Sequence, residues 1–368
     1  MEPTRGKAMK TKNVLQVVGR MTFGGVETSL MNIVRNTDNN KYHFVFLCYF
    51  DGEFAFDDEI RALGHTIVHI RDTRTKNPSR FIREIIRIIR KYKIDVVHSH
   101  VDMSSSYAMI AAKIAKVPIR IAHSHNTTFN FAMKLLGKLP INLCANRFVA
   151  CGKDAGRAMF YKHNVYTVIP NGIDMKKFAF NELTRKRIRK DLDVKERETL
   201  ILNVGRLMPQ KNQSFLLDVF ASYYGLDPHS KLLIVGDGEL LGTLAKKTAE
   251  LGLTDHVIFA GTRSDTDKIY SAADLFIMTS SYEGLPVVST EAQINGLPCI
   301  FSDAITKESN LTDTVIFYPL SKSPAEWAEK IVEVKTGRHT ENYEKLVKST
   351  YNIKNSIKAI ELLYAGDK

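Results

Sequence analysis

The stretch from Asp274 to Asp303 admits few folds. Leu275–Met278 is an apolar run short enough for a buried strand. Polar residues follow, then Glu283-Gly284-Leu285-Pro286, and a helical pattern runs on to Asn295-Gly296. Cys299–Phe301 reads as a second short strand that ends at Ser302-Asp303. Strand, loop, helix and strand make one βαβ unit. Pro286 suits the first helical turn, where its missing amide costs nothing, and Gly296 suits the far end. The loop delivers the backbone amides of Gly284 and Leu285 at the positive end of the helix, a ready site for a phosphate. Two carboxylates flank it, Glu283 at the mouth and Glu291 eight residues on. Taken singly, Glu283 reads equally well as a partner of the helix dipole, and Glu291 as a solvated helix residue.

The same alternation runs along the whole chain. Asn13–Val18, Tyr42–Tyr49, Thr66–Ile70, Asp95–Ser99, Ile119–Ala122 and Phe148–Cys151 read as strands with helical stretches between them. Val168-Ile169 then ends in the turn chemistry of Pro170-Asn171-Gly172-Ile173-Asp174, followed by a charged, helix-prone segment, Glu182–Glu198. Alternation resumes with Leu200–Val204, the helix Gln213–Tyr224, Leu232–Val235 and Val257–Ala260, and closes in a helical region from Pro324 onward. Strands alternating with helices predict an α/β fold with doubly wound parallel sheets. A chain of 368 residues exceeds one ordinary core, so two domains are expected, with the boundary near residue 177.

Charge separates the halves. Residues 1–175 hold 26 Lys+Arg against 14 Asp+Glu, whereas the remainder holds 26 of each, so the formal excess of +12 lies in the first half. A basic half implies an anionic partner, whether phospholipid headgroups, a lipid diphosphate or nucleic acid. The segment Arg80–Lys93 carries an apolar stripe of Phe81, Ile82, Ile85, Ile89 and Tyr92, with Arg83, Arg87, Arg90 and Lys91 opposite. It reads first as a sheet-covering helix with a basic outer face, so that contact with an anionic membrane would be electrostatic rather than inserted. Phe129, Phe131, Met133, Leu135, Leu136 and Leu139 alternate with Lys134 and Lys138 in Thr127–Asn146, a core helix or an acceptor- or membrane-facing one. Met1–Lys12 has no apolar stretch of a secretory signal, no run approaches a bilayer span, and Cys48, Cys144, Cys151 and Cys299 form no CxxC pair. Buried free thiols in a reducing compartment are expected.

The ends of the predicted strands carry the chemistry. Gly19 to Glu27 forms a glycine-rich loop containing Gly24-Gly25, without the G-x-G-x-x-G dinucleotide fingerprint. His98-Ser99-His100 and His123-Ser124-His125-Asn126 end two strands, where open parallel sheets bind ligands. Zinc is one reading of four such histidines, although no cysteine or carboxylate completes a ligand set by spacing. Arg206 and Lys211 lie just past another strand end, placed to hold a diphosphate from two sides.

Glu283-x7-Glu291 across a strand-to-helix turn resembles the signature of retaining nucleotide-sugar glycosyltransferases of the GT-B fold, family 4 type, as in bacterial exopolysaccharide and capsular polysaccharide synthesis. Leu285-Pro286 stands here where Phe-Gly is commoner in that family. Gly-Gly-Val-Glu, the strand-end histidine after Pro118, Ile-Pro-Asn-Gly-Ile-Asp, Gly-Arg-Leu-x-x-x-Lys-Asn and Gly-Asp-Gly match the family in the same order. The resemblance implies two Rossmann-like domains facing across a cleft: an acceptor domain, 1–177, and a donor domain, 178–351, with a last helix, about 352–368, packing back on the first. It implies that Gly24 and Gly25 lie over the donor and that His123 or, by preference, His125 meets the sugar near the reaction centre. Arg206 and Lys211 would clamp the diphosphate, the Gly284 and Leu285 amides would hold phosphate, and Glu291 would take the ribose hydroxyls. Glu283 would hold a sugar hydroxyl, and the Gly261–Arg263 loop would meet the base.

The expected reaction moves a hexose-type sugar from a UDP-sugar to a saccharide or lipid-diphosphate-linked acceptor. Negative charge grows on the departing phosphate, and Arg206, Lys211 and the amides can stabilise it as fixed donors, so neither a divalent metal nor any other cofactor is required. The one Asp-x-Asp triplet, Asp191-Leu192-Asp193, lies in a charged segment with no strand before it. A cytoplasmic location, peripheral at the inner face of the plasma membrane, is expected. The rival readings are a sugar-nucleotide epimerase of the same fold, a non-catalytic sugar-nucleotide-binding protein and a nucleic-acid-binding protein; the basic half shows no RNA-binding aromatic motif or zinc-finger pattern.

Overall fold

A computed structural model describes residues 11–127, 129, 131–334 and 337–366, with the backbone alone over 131–136. The basic terminus up to Lys10, with Met9, and the side chains of Phe131, Met133, Lys134, Leu135 and Leu136 therefore lie outside the described residues. Two compact units form, 1–173 together with 353–368, and 174–352.

The first unit has strands β1 (Lys12–Val18), β2 (Tyr42–Cys48), β3 (Thr66–His69), β4 (Val96–Ser99), β5 (Ile119–Ser124), β6 (Arg147–Ala150) and β7 (Thr167–Val168). They pair in parallel in the order β3-β2-β1-β4-β5-β6-β7. β1 lies inside the sheet and is covered on both faces, so Val14, Leu15, Val17 and Val18 are all buried, and so is the polar Gln16 among them. The helix predicted over Arg80–Lys93 spans Pro78–Lys91, because Asn77 accepts from the Arg80 amide and caps it two residues earlier. Its buried stripe is Phe81, Ile85, Ile88 and Ile89, so Ile88 belongs to the stripe and Ile82 is only half-buried. Arg80, Arg83, Arg87 and Arg90 are exposed. The helix Ile353–Ala365 returns to this unit and buries Ile353, Ile357, Ile360 and Tyr364 in its core.

The second unit has β8 (Thr199–Val204), β9 (Ser230–Val235), β10 (Val257–Phe259), β11 (Leu275–Met278), β12 (Cys299–Ser302) and β13 (Val315–Tyr318). All pairs are parallel, in the order β10-β9-β8-β11-β12-β13. β13 is the strand that pattern reading did not anticipate; it is an edge strand, and only Val315 is fully buried. The charged segment Glu182–Glu198 is helical only to Asp191. Arg185 and Arg189 on that helix both reach the carboxylate of Asp274, which anchors the start of β11.

In each sheet the winding reverses at one place, between β1 and β4 and between β8 and β11. Loops leaving neighbouring strands there run to opposite sides and leave a crevice at the carboxyl ends. Arg206, Lys211 and Glu283 lie on loops at the second reversal and Gly24, Gly25, His98 and His100 at the first; His123 and His125 lie at the end of β5, one strand on, and Gly261 and Arg263 follow β10, at the sheet's edge. Among the described residues no helix is long and apolar enough to cross a membrane. Cys48 and Cys299 are buried free thiols, Cys151 is buried, and Cys144 is half-buried and free.

Candidate active site

At the second unit's reversal, the loop after β8 and the loop after β11 are tied together. The Ser281 amide donates to the Gln210 carbonyl at 2.8 Å, the Gln210 side-chain amide donates to the Tyr282 carbonyl at 2.9 Å, and Thr279 Oγ1 donates to the Asn212 carbonyl at 3.0 Å. Pro209–Lys211 is a short 3₁₀ turn closed by Asn212 in the left-handed conformation, φ 53°. That turn aims Lys211 across the crevice, and its Nζ donates to Glu283 Oε1 at 2.5 Å. Glu283 is 9% exposed and Lys211 18% exposed, so the pair is largely withdrawn from water. The stem of Lys211 lies over Gly205, 3.5 Å from where a Cβ would stand.

Two further glycines let the loop after β9 press on the loop after β8. A Cβ on Gly236, where φ is +136°, would stand 2.1 Å from the Gly205 carbonyl oxygen. One on Gly238 would stand 2.3 Å from the Leu207 carbonyl oxygen. The Leu207 amide donates to the Asp237 carbonyl at 2.9 Å, which holds the loop bearing Arg206. Arg206 itself is exposed and, among the described residues, makes no ion pair.

Glu283, Gly284 and Leu285 lead directly into the helix Val287–Ile294. Pro286 is the residue before the first helical turn rather than within it, and Gly296, φ +76°, follows the last. Glu291 faces inward. It is buried, not solvated, and its Oε2 accepts from the Tyr270 hydroxyl at 2.7 Å. Burial pushes its carboxyl up to about 7, against the Tyr270 hydrogen bond and the Lys177 charge, which favour the ionised form. Gly261, φ +62°, follows β10 and accepts from the Gly236 amide. Arg263, expected at the base, is held in a two-bonded pair with Asp265, at 2.8 and 2.9 Å. Nothing in the pattern pointed to Gln210 or Tyr270; Gln210 matters through a partner 72 residues away and Tyr270 through one 21 residues away.

At the first unit's reversal, Gly24 is the cap and Gly25 the first residue of the helix Gly25–Asn36. The Glu27 carboxylate lies where a Gly24 Cβ would stand. His98 is in β4, and β5 extends through Ser124, so His123 is the strand's penultimate residue and His125 the first beyond it. All four histidines are buried. His98 Nε2 is 3.2 Å from His123 Nδ1, and His100 Nδ1 is 3.1 Å from His125 Nε2. Asp102, φ 46° and buried, accepts from the His125 and Asn126 amides at 2.8 and 3.2 Å and so fixes the turn after β5. His98, His100 and His123 bring one ligand atom each within 4.8 Å of one another, the grouping that makes zinc worth weighing. Both ring nitrogens of His98 and of His100, and Nδ1 of His123, are engaged with one another or with Gln16, Tyr364 and His125, so of these three rings only His123 Nε2 has no hydrogen bond among the described residues.

Comparison with known proteins fits this geometry. Residues 184–363 match the model described as Glycosyl transferases group 1, and residues 23–177 match Glycosyltransferase Family 4. The chain is 32% identical over 369 residues to the glycosyltransferase candidate EpsF of Bacillus subtilis (strain 168), covering 96% of each chain. It is 29% identical, over 76% of each chain, to the UDP-Gal:alpha-D-GlcNAc-diphosphoundecaprenol alpha-1,3-galactosyltransferase of Escherichia coli. Its fold matches Anabaena Alr3699/HepE, solved in complex with UDP and glucose, with a TM-score of 0.81 at 19% identity, covering 96% of this chain and all of that one. Two parallel-sheet units, two collinear family matches and a full-length relative lead to one conclusion: this chain is a GT-B glycosyltransferase and belongs to family 4.

Proposed function

We propose that the protein transfers a hexose-type sugar, with retention of anomeric configuration, from a UDP-sugar to a saccharide or lipid-diphosphate-linked acceptor in cell-surface polysaccharide synthesis. The observation that carries this reading is the crevice between β8 and β11, which collects Arg206, Lys211 and Glu283, with Glu291 on the helix behind. A guanidinium and an ammonium beside a helix start can receive the charge that grows on a departing diphosphate. Gly284 and Leu285 add backbone dipole at the same helix end. Glu283, already bonded to Lys211, can take a sugar hydroxyl, and Glu291, beside Tyr270, can take ribose hydroxyls. Gly261 and Arg263 are assigned to the base, and Gly24, Gly25, His123 and His125 to the sugar side. The second unit is the donor domain and the first the acceptor domain.

The donor and acceptor classes draw support from the E. coli relative, which is named for transfer from UDP-Gal to a diphosphoundecaprenol-linked sugar, and from the Anabaena structure with UDP and glucose. No divalent ion or other cofactor enters the proposed reaction. The location is cytoplasmic and peripheral at the inner membrane face, held by the basic first unit, with no nucleic-acid partner. A panel of nucleotide sugars tests the reading, scored for thermal stabilisation and for nucleotide release that depends on an added acceptor. Stabilisation by a UDP-sugar and acceptor-dependent release of UDP are expected. Interconversion of the sugar without any acceptor would replace transfer by epimerisation, and binding without turnover would leave a non-catalytic sugar-nucleotide-binding protein.

A further inference from the structure

We infer that Gln16 and Tyr364 are positioning residues: through two hydrogen-bond chains they force His123 and His125 to present opposite polarity, one donor and one acceptor, a pair made for a single hydroxyl. The inference rests on the reading of this strand end as the sugar side.

Gln16, in β1, is buried and lies where the chains meet. Its Nε2 donates to the Tyr364 hydroxyl at 2.9 Å, and its Oε1 accepts from His100 Nε2 at 2.9 Å. One hydroxyl that accepts from Gln16 has its own proton to give, and it goes to His98 Nδ1, 2.8 Å away. A neutral His98 then carries its proton on Nε2 and donates to His123 Nδ1, which leaves the His123 proton on Nε2. In the second chain His100 spends its proton on Gln16, so its Nδ1 accepts from His125 Nε2, and His125 Nδ1 is left as a bare lone pair. Burial favours the neutral form in all four rings, so each holds one proton.

The chains end on the two atoms that lack a partner. His123 Nε2 and His125 Nδ1 are buried with no hydrogen bond among the described residues. Their rings stack with centroids 4.2 Å apart. A buried polar atom left unmatched is costly, and two of them on stacked rings at one strand end mark a place for a ligand atom. A hydroxyl both accepts and donates, so one hydroxyl satisfies both; a phosphate oxygen or an ammonium satisfies one at most.

The result does not depend on which way the Gln16 amide points. Rotating it by half a turn reverses every bond in both chains at once: His123 becomes the acceptor and His125 the donor. The opposition survives because an amide offers one donor side and one acceptor side. A carboxylate offers two acceptor sides. Gln16→Glu therefore reverses one chain, leaves the other as it was, and turns the pair into two acceptors.

Nitrogen NMR of the full-length protein labelled with ¹⁵N-histidine reads the tautomers directly. Fixed single tautomers are expected for His98, His100, His123 and His125. In Gln16→Glu one pair, either His98 with His123 or His100 with His125, should invert while the other holds. In Tyr364→Phe only His98 and His123 should lose their fixed tautomer. UDP-glucose that moves the His123 and His125 signals where UDP alone does not assigns the hydroxyl to the sugar; equal spectra with both assign it to a buried water. Both variants should lose roughly tenfold in kcat/KM if the hydroxyl is the sugar's. Tautomers averaged in the unmodified protein, no inversion in Gln16→Glu, or stoichiometric zinc that disappears in His98→Ala would overturn the inference. The tautomer readout needs no turnover, so its failure is distinct from failure of the proposed reaction.

Discussion

Lys211 and Glu283, 72 residues apart, form an ion pair at 2.5 Å that bridges the loops leaving β8 and β11. The pair has two consequences. It holds the ammonium at the mouth of the crevice, and it makes each partner's removal costly to the other, because a largely buried charge would be left alone.

Lys211→Ala and Arg206→Ala should therefore differ in stability while agreeing in activity. Each removes a fixed positive charge from the departing phosphate, so each should lower kcat by about 10²–10³-fold. Lys211→Ala should also cost roughly 1–3 kcal/mol of stability, because Glu283 loses its partner. Exposed Arg206 should cost almost nothing. Urea unfolding beside steady-state kinetics checks both, and near-normal turnover in the two variants would dismiss the clamp.

Glu291 predicts a pH dependence with a definite sign. Its folded-state carboxyl is raised from 4.5 to about 7, so between those values the folded chain holds a proton that the unfolded chain has released. Its contribution to stability is then greatest at low pH and is lost as pH rises through about 7, a change on the order of 3 kcal/mol. Donor affinity should move the other way, strengthening as the carboxylate forms. Glu291→Gln should abolish both trends. Tyr270→Phe removes a hydrogen bond that favours ionisation, so it should shift the affinity midpoint to higher pH. Titration calorimetry with UDP across pH 5.5–8.5, a range of about a unit and a half either side of the midpoint, decides it.

Transfer should continue in EDTA. The proposed charge stabilisation comes from Arg206, Lys211 and backbone dipole alone, so chelation leaves it intact. Activity lost to EDTA and restored by Mn²⁺ would contradict this.

The basic first unit should bind anionic vesicles, less so as salt rises. Arg83, Arg87 and Arg90 point outward from the helix Pro78–Lys91, whose apolar stripe is spent on the core. Each basic residue near an anionic surface is worth about 1 kcal/mol. Replacing the three with Glu should remove vesicle sedimentation while leaving the fold intact. Binding insensitive to salt would point to insertion instead.

Local pattern determined much of this protein. Runs such as Leu275–Met278 and Leu200–Leu202 are apolar because interior parallel strands are covered on both faces, so they stand out in one dimension. Glycine, proline and charge at strand ends likewise mark the turns that carry Lys211 and Glu283. β13 is an apolar run of the same kind, Val315–Tyr318, although its place at the sheet's edge leaves only Val315 fully buried. What only the tertiary structure decided is pairing across distance: Lys211 with Glu283, Glu291 with Tyr270, and Gln16 with Tyr364, 348 residues away. Such pairs depend on which strand ends the winding brings side by side and on which atoms burial leaves in need of a partner. Neither quantity is written in the neighbourhood of any one residue.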